Sequence, residues 1–426
     1  MKSQIVLNPS GTIVENEAKN DIRIRRHRLL RALLFACITV TVLFAFAGCF
    51  KSVAFADGKT KEELQSDLSG AVDEVLSRLN LDSFQQFINS LGSDEQNFLS
   101  VNNIKDVLKV LTSGSGNFFE RLFSVLGITF GRYFFGFLPS FITILAICIL
   151  KSMLSGMTAD FLDNSTTEVV HIVCYAGVIT VLTSGLISII KTVVETIGLM
   201  SAFSEAVFPV LLTLLSSLGG ATSVATYSPM LAVLSGGIVK IIVNVIVPAF
   251  IATIVFSVVG NLSKTVKLEK LTSFIKTAST WLVSVVFGLF ATFLTVQGVA
   301  GGVVDKFGFN VAKFALSGYV PILGGYLSDG FDLISASIVI VKNAFGYFAG
   351  VVLVGFVLFP LLKVMAFSLT LRLMSAIVEP IGDERVAKLL HTLAVDVNLL
   401  ITALAGVGFL FFIMIMLMTL SCNMGL

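Results

Sequence analysis

Runs of roughly 20 consecutive apolar residues recur through this chain, and each is long enough to cross the hydrocarbon core of a bilayer. Val169 to Ile190, Ala278 to Gly298, Ile334 to Phe359 and Leu399 to Leu420 are the clearest. With no water in lipid, every backbone N–H and C=O in such a run needs an internal partner, which a helix supplies. The chain is 55% apolar and 13% charged, against roughly 25% charged in soluble domains. The expected class is therefore all-α, a polytopic helical membrane protein embedded in the lipid bilayer. A net charge of +2 and dispersed basic residues give no electrostatic stripe for nucleic acid. Cys37, Cys49, Cys148, Cys174 and Cys422 show neither a disulfide framework nor metal-ligand spacing.

The amino terminus, residues 1–56, reads as an export signal. Arg23, Arg25, Arg26, Arg28 and Arg31 precede the apolar run Leu33 to Gly48, and Ala54-Phe55-Ala56 offers a small-x-small cleavage site. Cleavage after Ala56 is the first reading. Retention of the run as an anchor is the second, and lipidation at Cys49 of the Phe46-Ala47-Gly48-Cys49 sequence is the third.

Residues 57–116 alone have ordinary soluble composition, and cleavage places them outside the cytosol. Their apolar residues fall at helical spacing: Leu64, Leu68, Val72, Val75, Leu76 and Leu79, then Phe84, Phe87, Ile88 and Leu91, then Ile104, Val107, Leu108 and Leu111. These stripes either pack on one another or form a docking surface for a partner. Ser113-Gly114-Ser115-Gly116 reads as a hinge into the membrane part.

Residues 117–426 form the polytopic domain. Of only eight prolines, Pro139, Pro248 and Pro360 each open an apolar segment at nearly equal spacing. Pro209 and Pro321 repeat that spacing in similar contexts, Pro209-Val210-Leu211 against Pro321-Ile322-Leu323. This suggests internal repeats of about four apolar segments starting near 139, 248 and 360, an arrangement known in membrane transport proteins. All five prolines are candidate helix breaks, and the division yields about eight to ten passes. Met230 to Leu262 and Ile334 to Met374 are alternatively long kinked helices. Lys264, Lys267, Lys270 and Lys276 fall in one connector and Arg372, Arg385 and Lys388 in another. The positive-inside bias places both connectors on the cytosolic side.

Charges inside apolar runs cost at least a few kcal/mol and mark functional candidates. Lys240 requires a partner or an aqueous cavity, with Glu205 the nearest acid; Asp396 and Asn398 form a later set with Lys342 and Lys363. Glu205, Lys240, Asp396 and Asn398 are thus the candidates for an intramembrane polar pathway. Headgroup snorkelling is the competing account for Lys191, Lys342 and Lys363. No enzyme chemistry, cofactor site or metal site is expected: Gly58-Lys59-Thr60 lacks the first glycine of a phosphate loop, His171 and His391 lack acids at ligand spacing, and no Gly-x-Ser-x-Gly elbow occurs.

Leu294-Thr295-Val296-Gln297-Gly298, Lys313-Phe314-Ala315, Tyr319-Val320-Pro321-Ile322-Leu323-Gly324 and Glu379-Pro380-Ile381-Gly382-Asp383 together resemble the stage III sporulation protein AE family of endospore-forming bacteria. The resemblance implies a multi-pass protein of the mother-cell membrane around the forespore. It implies a channel-like complex with the other stage III sporulation A proteins, joined across the intermembrane space to a forespore membrane partner. Residues 57–116 would face that space. The family offers no catalytic or ligand residues to carry over. A stand-alone transporter and a passive scaffold are the rival readings.

The orientation is checked by cysteine-accessibility mapping in intact cells. Cysteines replacing Lys267 and Arg385 are expected to be shielded from an impermeant thiol reagent, and one replacing Gln85 to be labelled.

Overall fold

A computed structural model describes residues 74–75, 82–90, 118–158, 164–262, 268–319, 324–381 and 384–422. Every regular element among them is helical. The chain order is α1 (Asp82–Ser90), α2 (Phe118–Gly136), α3 (Leu138–Thr158) and α4 (Asn164–Ser217). A single helical run follows: α5 (Ala221–Leu231), a π-helical stretch Ala232–Ile238, the short α6 (Val239–Ile241), a second π-helical stretch Ile242–Ile246, and α7 (Val247–Leu262). Then come α8 (Glu269–Tyr319), α9 (Gly324–Val378), a 3₁₀ turn at Glu379–Ile381 and α10 (Glu384–Leu420).

Six helical stretches among the described residues are long and apolar enough to cross a membrane: Leu126–Leu154, Ile172–Ser217, Ala221–Asn261, Glu269–Gln297, Asp332–Ile381 and Glu384–Leu420. The division of the sequence into eight to ten passes separates at prolines several runs that are joined in these helices. Pro209 and Pro360 lie inside continuous α4 and α9. Pro248 is the second residue of α7, directly after a π-helical stretch. Only Pro139 follows a true interruption, the turn at Phe137 between α2 and α3. Pro321 lies outside the described residues. A proline removes one helical hydrogen bond and clashes with the preceding turn. In membrane helices, local π adjustments absorb that loss, as the two wide turns between Pro229 and Pro248 do here. Pro139 thus opens a helix after a turn, Pro248 follows a π-helical stretch, and Pro360 lies within a helix.

α10 is the central helix. It packs against α9 over most of its length and also against α4, α7 and α8. In its apolar window 67% of residues are buried, against 11% for Leu126–Leu154, so α2 and α3 are peripheral. Leu400, Ala403, Leu404, Val407, Phe411, Met414, Ile415 and Met418 have no exposed surface. Their three- and four-residue spacing gives one continuous seam.

Lipid tails are as apolar as leucine, so close packing rather than water exclusion holds such helices together. Glycines provide that closeness. A Cβ on Gly346 would lie 1.9 Å from Thr419 Oγ1, and one on Gly406 would lie 1.8 Å from Phe287 Cε2. Gly408 and Gly350 meet Val357 and Met416 at 3.0 Å in the same sense.

α1 packs on the helical bundle itself. Phe84 and Phe87 are buried and stack edge-on among Phe203 of α4 and Phe345, Phe348 and Phe356 of α9, with ring centroids 5.1–5.9 Å apart. Each such contact contributes about 0.5–1.5 kcal/mol beyond its buried area. Asp82, Gln86 and Asn89 form its outer, exposed face.

Gly406→Val and Gly346→Val are each expected to cost about 1–3 kcal/mol through overpacking, read as a lower thermal midpoint of the detergent-solubilised protein. Gly288→Ala, where a Cβ meets nothing within 4 Å, should leave the midpoint unchanged or raise it.

Candidate functional site

Three groups of polar side chains stand out on the apolar bundle. The first joins α7, α8 and α10. Asp396, 2% exposed, accepts a 2.8 Å bond from Lys276 Nζ of α8. Ser257 of α7 stands beside the same carboxylate. Nearer the start of both helices, Lys388 Nζ of α10 bonds Glu269 Oε1 of α8. The two basic connectors consequently lie at one end of the bundle. α8 and α9 run between them, an even number of crossings, as are the four segments expected from the sequence.

The second group lies at the opposite end of α10, about 37 Å from Asp396 at 1.5 Å per residue, which matches a hydrocarbon core of roughly 30 Å with its margins. α4 stops at Gly219, whose φ of 75° only glycine adopts freely. The Gly219 N–H donates to Ser216 O at 3.0 Å and the Gly220 N–H to Leu215 O at 2.9 Å, a Schellman arrangement. α5 then begins with two unsatisfied N–H groups that no local side chain reaches. Asp305 of α8 supplies both acceptors, taking the Thr222 N–H at 3.0 Å and the Ser223 N–H at 2.7 Å. Lys342 of α9, fully buried, donates to Ser421 O just beyond α10. The Ser421 hydroxyl pairs with Tyr227 at 2.7 Å. Cys422 sits in the left-handed region at φ 57° with Sγ 3.8 Å from Asp305 Oδ2. Burial pushes its thiol above the usual cysteine range, against a smaller opposing effect of the Lys342 charge, so it stays protonated at neutral pH. Four elements are thereby latched together through two charges and two hydroxyls.

The third group is exposed. Glu205 on α4 and Lys240 on α6 both lie on the outer surface, and neither has a hydrogen-bond or ion-pair partner among the described residues. Their expected pairing with each other is not made. Asp396 and Asn398 lie apart from both, on α10, buried and half-buried respectively. Lys363, half-buried, donates to Thr192 Oγ1 at 2.9 Å rather than extending to a headgroup. The four expected pathway residues thus occupy two places, one paired and internal, the other solvent- or neighbour-facing. Asp305 escaped the sequence reading altogether. It follows Gly301-Gly302 after a long apolar run and lies within α8. Among the described residues, no three His, Cys, Asp or Glu side chains converge as metal ligands.

This geometry defines a helical membrane protein with buried polar contacts near both ends of its central helix and two charges unpaired among the described residues, Glu205 and Lys240, on its outer surface. Residues 102–422 match the profile of stage III sporulation protein AE, and the chain belongs to that family. It is 25% identical over 287 residues to "Stage III sporulation protein AE" of Bacillus subtilis (strain 168), covering 67% of this chain and 71% of that one. Family membership gives the protein a role in sporulation. No solved structure matches it.

Removing one member of a buried ion pair strands the other, at a typical cost of about 3–5 kcal/mol, whereas replacing both by apolar residues is often neutral. Lys276→Ala is expected to lower membrane abundance and thermal midpoint, and Lys276→Met with Asp396→Leu to recover both, as measured by immunoblot and melting in detergent.

Proposed function

We propose that this chain is a membrane subunit of a channel or secretion complex that links mother cell and forespore during endospore development. In this reading it sits in the mother-cell membrane around the forespore and works with the other stage III sporulation A proteins and a forespore membrane partner. Residues 57–116 face the intermembrane space. Its role is conduction and assembly rather than catalysis. The observation that carries the reading is the exposure of Lys240 and Glu205 on helices whose lengths are otherwise suited to lipid. A charge in that position costs at least a few kcal/mol unless water or protein meets it, and a conduit or an assembled complex supplies either.

A stand-alone transporter is favoured by a different observation, the two π-helical stretches that flank Lys240, since such local departures cluster at functional positions. Flux through the purified chain in liposomes separates the two.

Lys240→Leu and Glu205→Leu are expected to reduce late forespore gene expression severalfold or more at unchanged protein abundance, measured with a forespore reporter alongside an immunoblot. Wild-type reporter activity in both variants would instead identify a passive scaffold.

A further inference from the structure

The outer faces of the bundle are of two kinds. On α3 and α8 the exposed residues are large and apolar, including Ile142, Leu150, Met153, Trp281 and Leu289, as lipid contact requires. The hairpin of α4 with the α5–α7 run also exposes large apolar residues, among them Ile187, Leu199, Val233 and Val245, but it sets charges between them. Along α4 the exposed residues include Lys191, Glu195, Ala202, Glu205, Pro209 and Thr213; along the facing run they include Ser228, Ala232, Gly236, Lys240, Asn244 and Pro248. Lys191 and Glu195 meet each other, and Thr213 and Ser228 bond their own helix backbones, so Glu205 and Lys240 are the charges that hydrocarbon would leave unmet.

Depth along the hairpin sharpens the point. Counted from the Gly219 turn at 1.5 Å per residue, Glu205 lies at about 21 Å, Lys240 at about 32 Å and Glu195 at about 36 Å. Lys240 is also midway between Ser223 and Ser257, which belong to the polar groups at the two ends of the bundle. By path length along the two helices, Lys240 thus falls between Glu205 and Glu195. Within one copy only Lys191 and Glu195 approach, at 3.6 Å.

We propose that this face is where two copies of the chain associate in the membrane, Lys240 of each copy set against the acidic face of the other, between the levels of its Glu195 and Glu205. The occupant follows from charge. The face carries two lysines and two glutamates, so it complements itself across a two-fold axis along the membrane normal, in which a contact from one copy is repeated by the other. Gly236, Ala202 and Ala232 permit the close backbone approach such an interface needs. The inference shares with the proposed function its starting observation, the exposed Lys240 and Glu205, and names a second copy as what meets them.

The test co-expresses two differently tagged full-length copies in a sporulating host and purifies one tag in mild detergent. Wild-type copies should co-purify. Lys240→Glu in both copies should cut recovery at least tenfold, and so should Glu195→Lys with Glu205→Lys in both. Mixing a Lys240→Glu copy with a Glu195→Lys, Glu205→Lys copy should restore recovery, because every cross-contact regains opposite charge. As a second readout in native membranes, Ala202→Cys and Gly236→Cys in a cysteine-free chain should form disulfide dimers on oxidation, with Leu289→Cys as the lipid-facing control. Absence of wild-type co-purification, failure of the mixed pair to recover, or free labelling of Cys at 202 and 236 by a polar maleimide without dimers would each overturn the interface. Sporulation measured in the same strains separates that outcome from loss of the channel role.

Discussion

A charged side chain in hydrocarbon has three ways to exist: bonded to protein, reaching a headgroup, or meeting water or a neighbouring subunit. This chain carries few charges in its apolar helices, and the fold is organised by how each is accommodated. Lys276 and Asp396 bond each other where α8 meets α10. Lys342 donates to the backbone after α10, and Asp305 receives the N-terminal amides of α5. Because these bonds sit at both ends of α10, they set its depth and its register against α8 and α9. Lys240 and Glu205, with no such bond, mark the face where the subunit is unfinished.

Between those ends the helices are held by shape. Glycine lets Thr419 approach α9 and Phe287 approach α10 more closely than any side chain would allow. Serine hydroxyls tie the same pair, Ser368 to Ala394 O at 3.0 Å and Ser375 to Ala387 O at 2.8 Å. These bonds repeat the antiparallel register set by Lys342 and Ser421. Prolines fit this scheme because a long helix can widen a turn rather than end, as it does on either side of Lys240.

α1 shows how far a local pattern carries. The spacing of Phe84 and Phe87 marked an amphipathic helix, and such a helix is present. The sequence offered its neighbours or a separate partner as the surface it covers. The aromatic pocket is instead built from Phe203, Phe345, Phe348 and Phe356, residues more than a hundred positions away that look like any other apolar residues in their runs.

By itself the sequence determined the helical membrane class, because a long run of apolar residues has one stable form in lipid, and it marked Lys240, Glu205 and Asp396 as charges requiring an explanation. It resembled its family through short segments whose order mattered more than their content. Only the tertiary structure decided that Asp396 is met by Lys276, that Lys342 and Asp305 close the far end, and that Pro209 and Pro360 do not divide their helices. Those outcomes depend on which residues of other helices arrive within about 3 Å, a distance set by packing that no local period encodes.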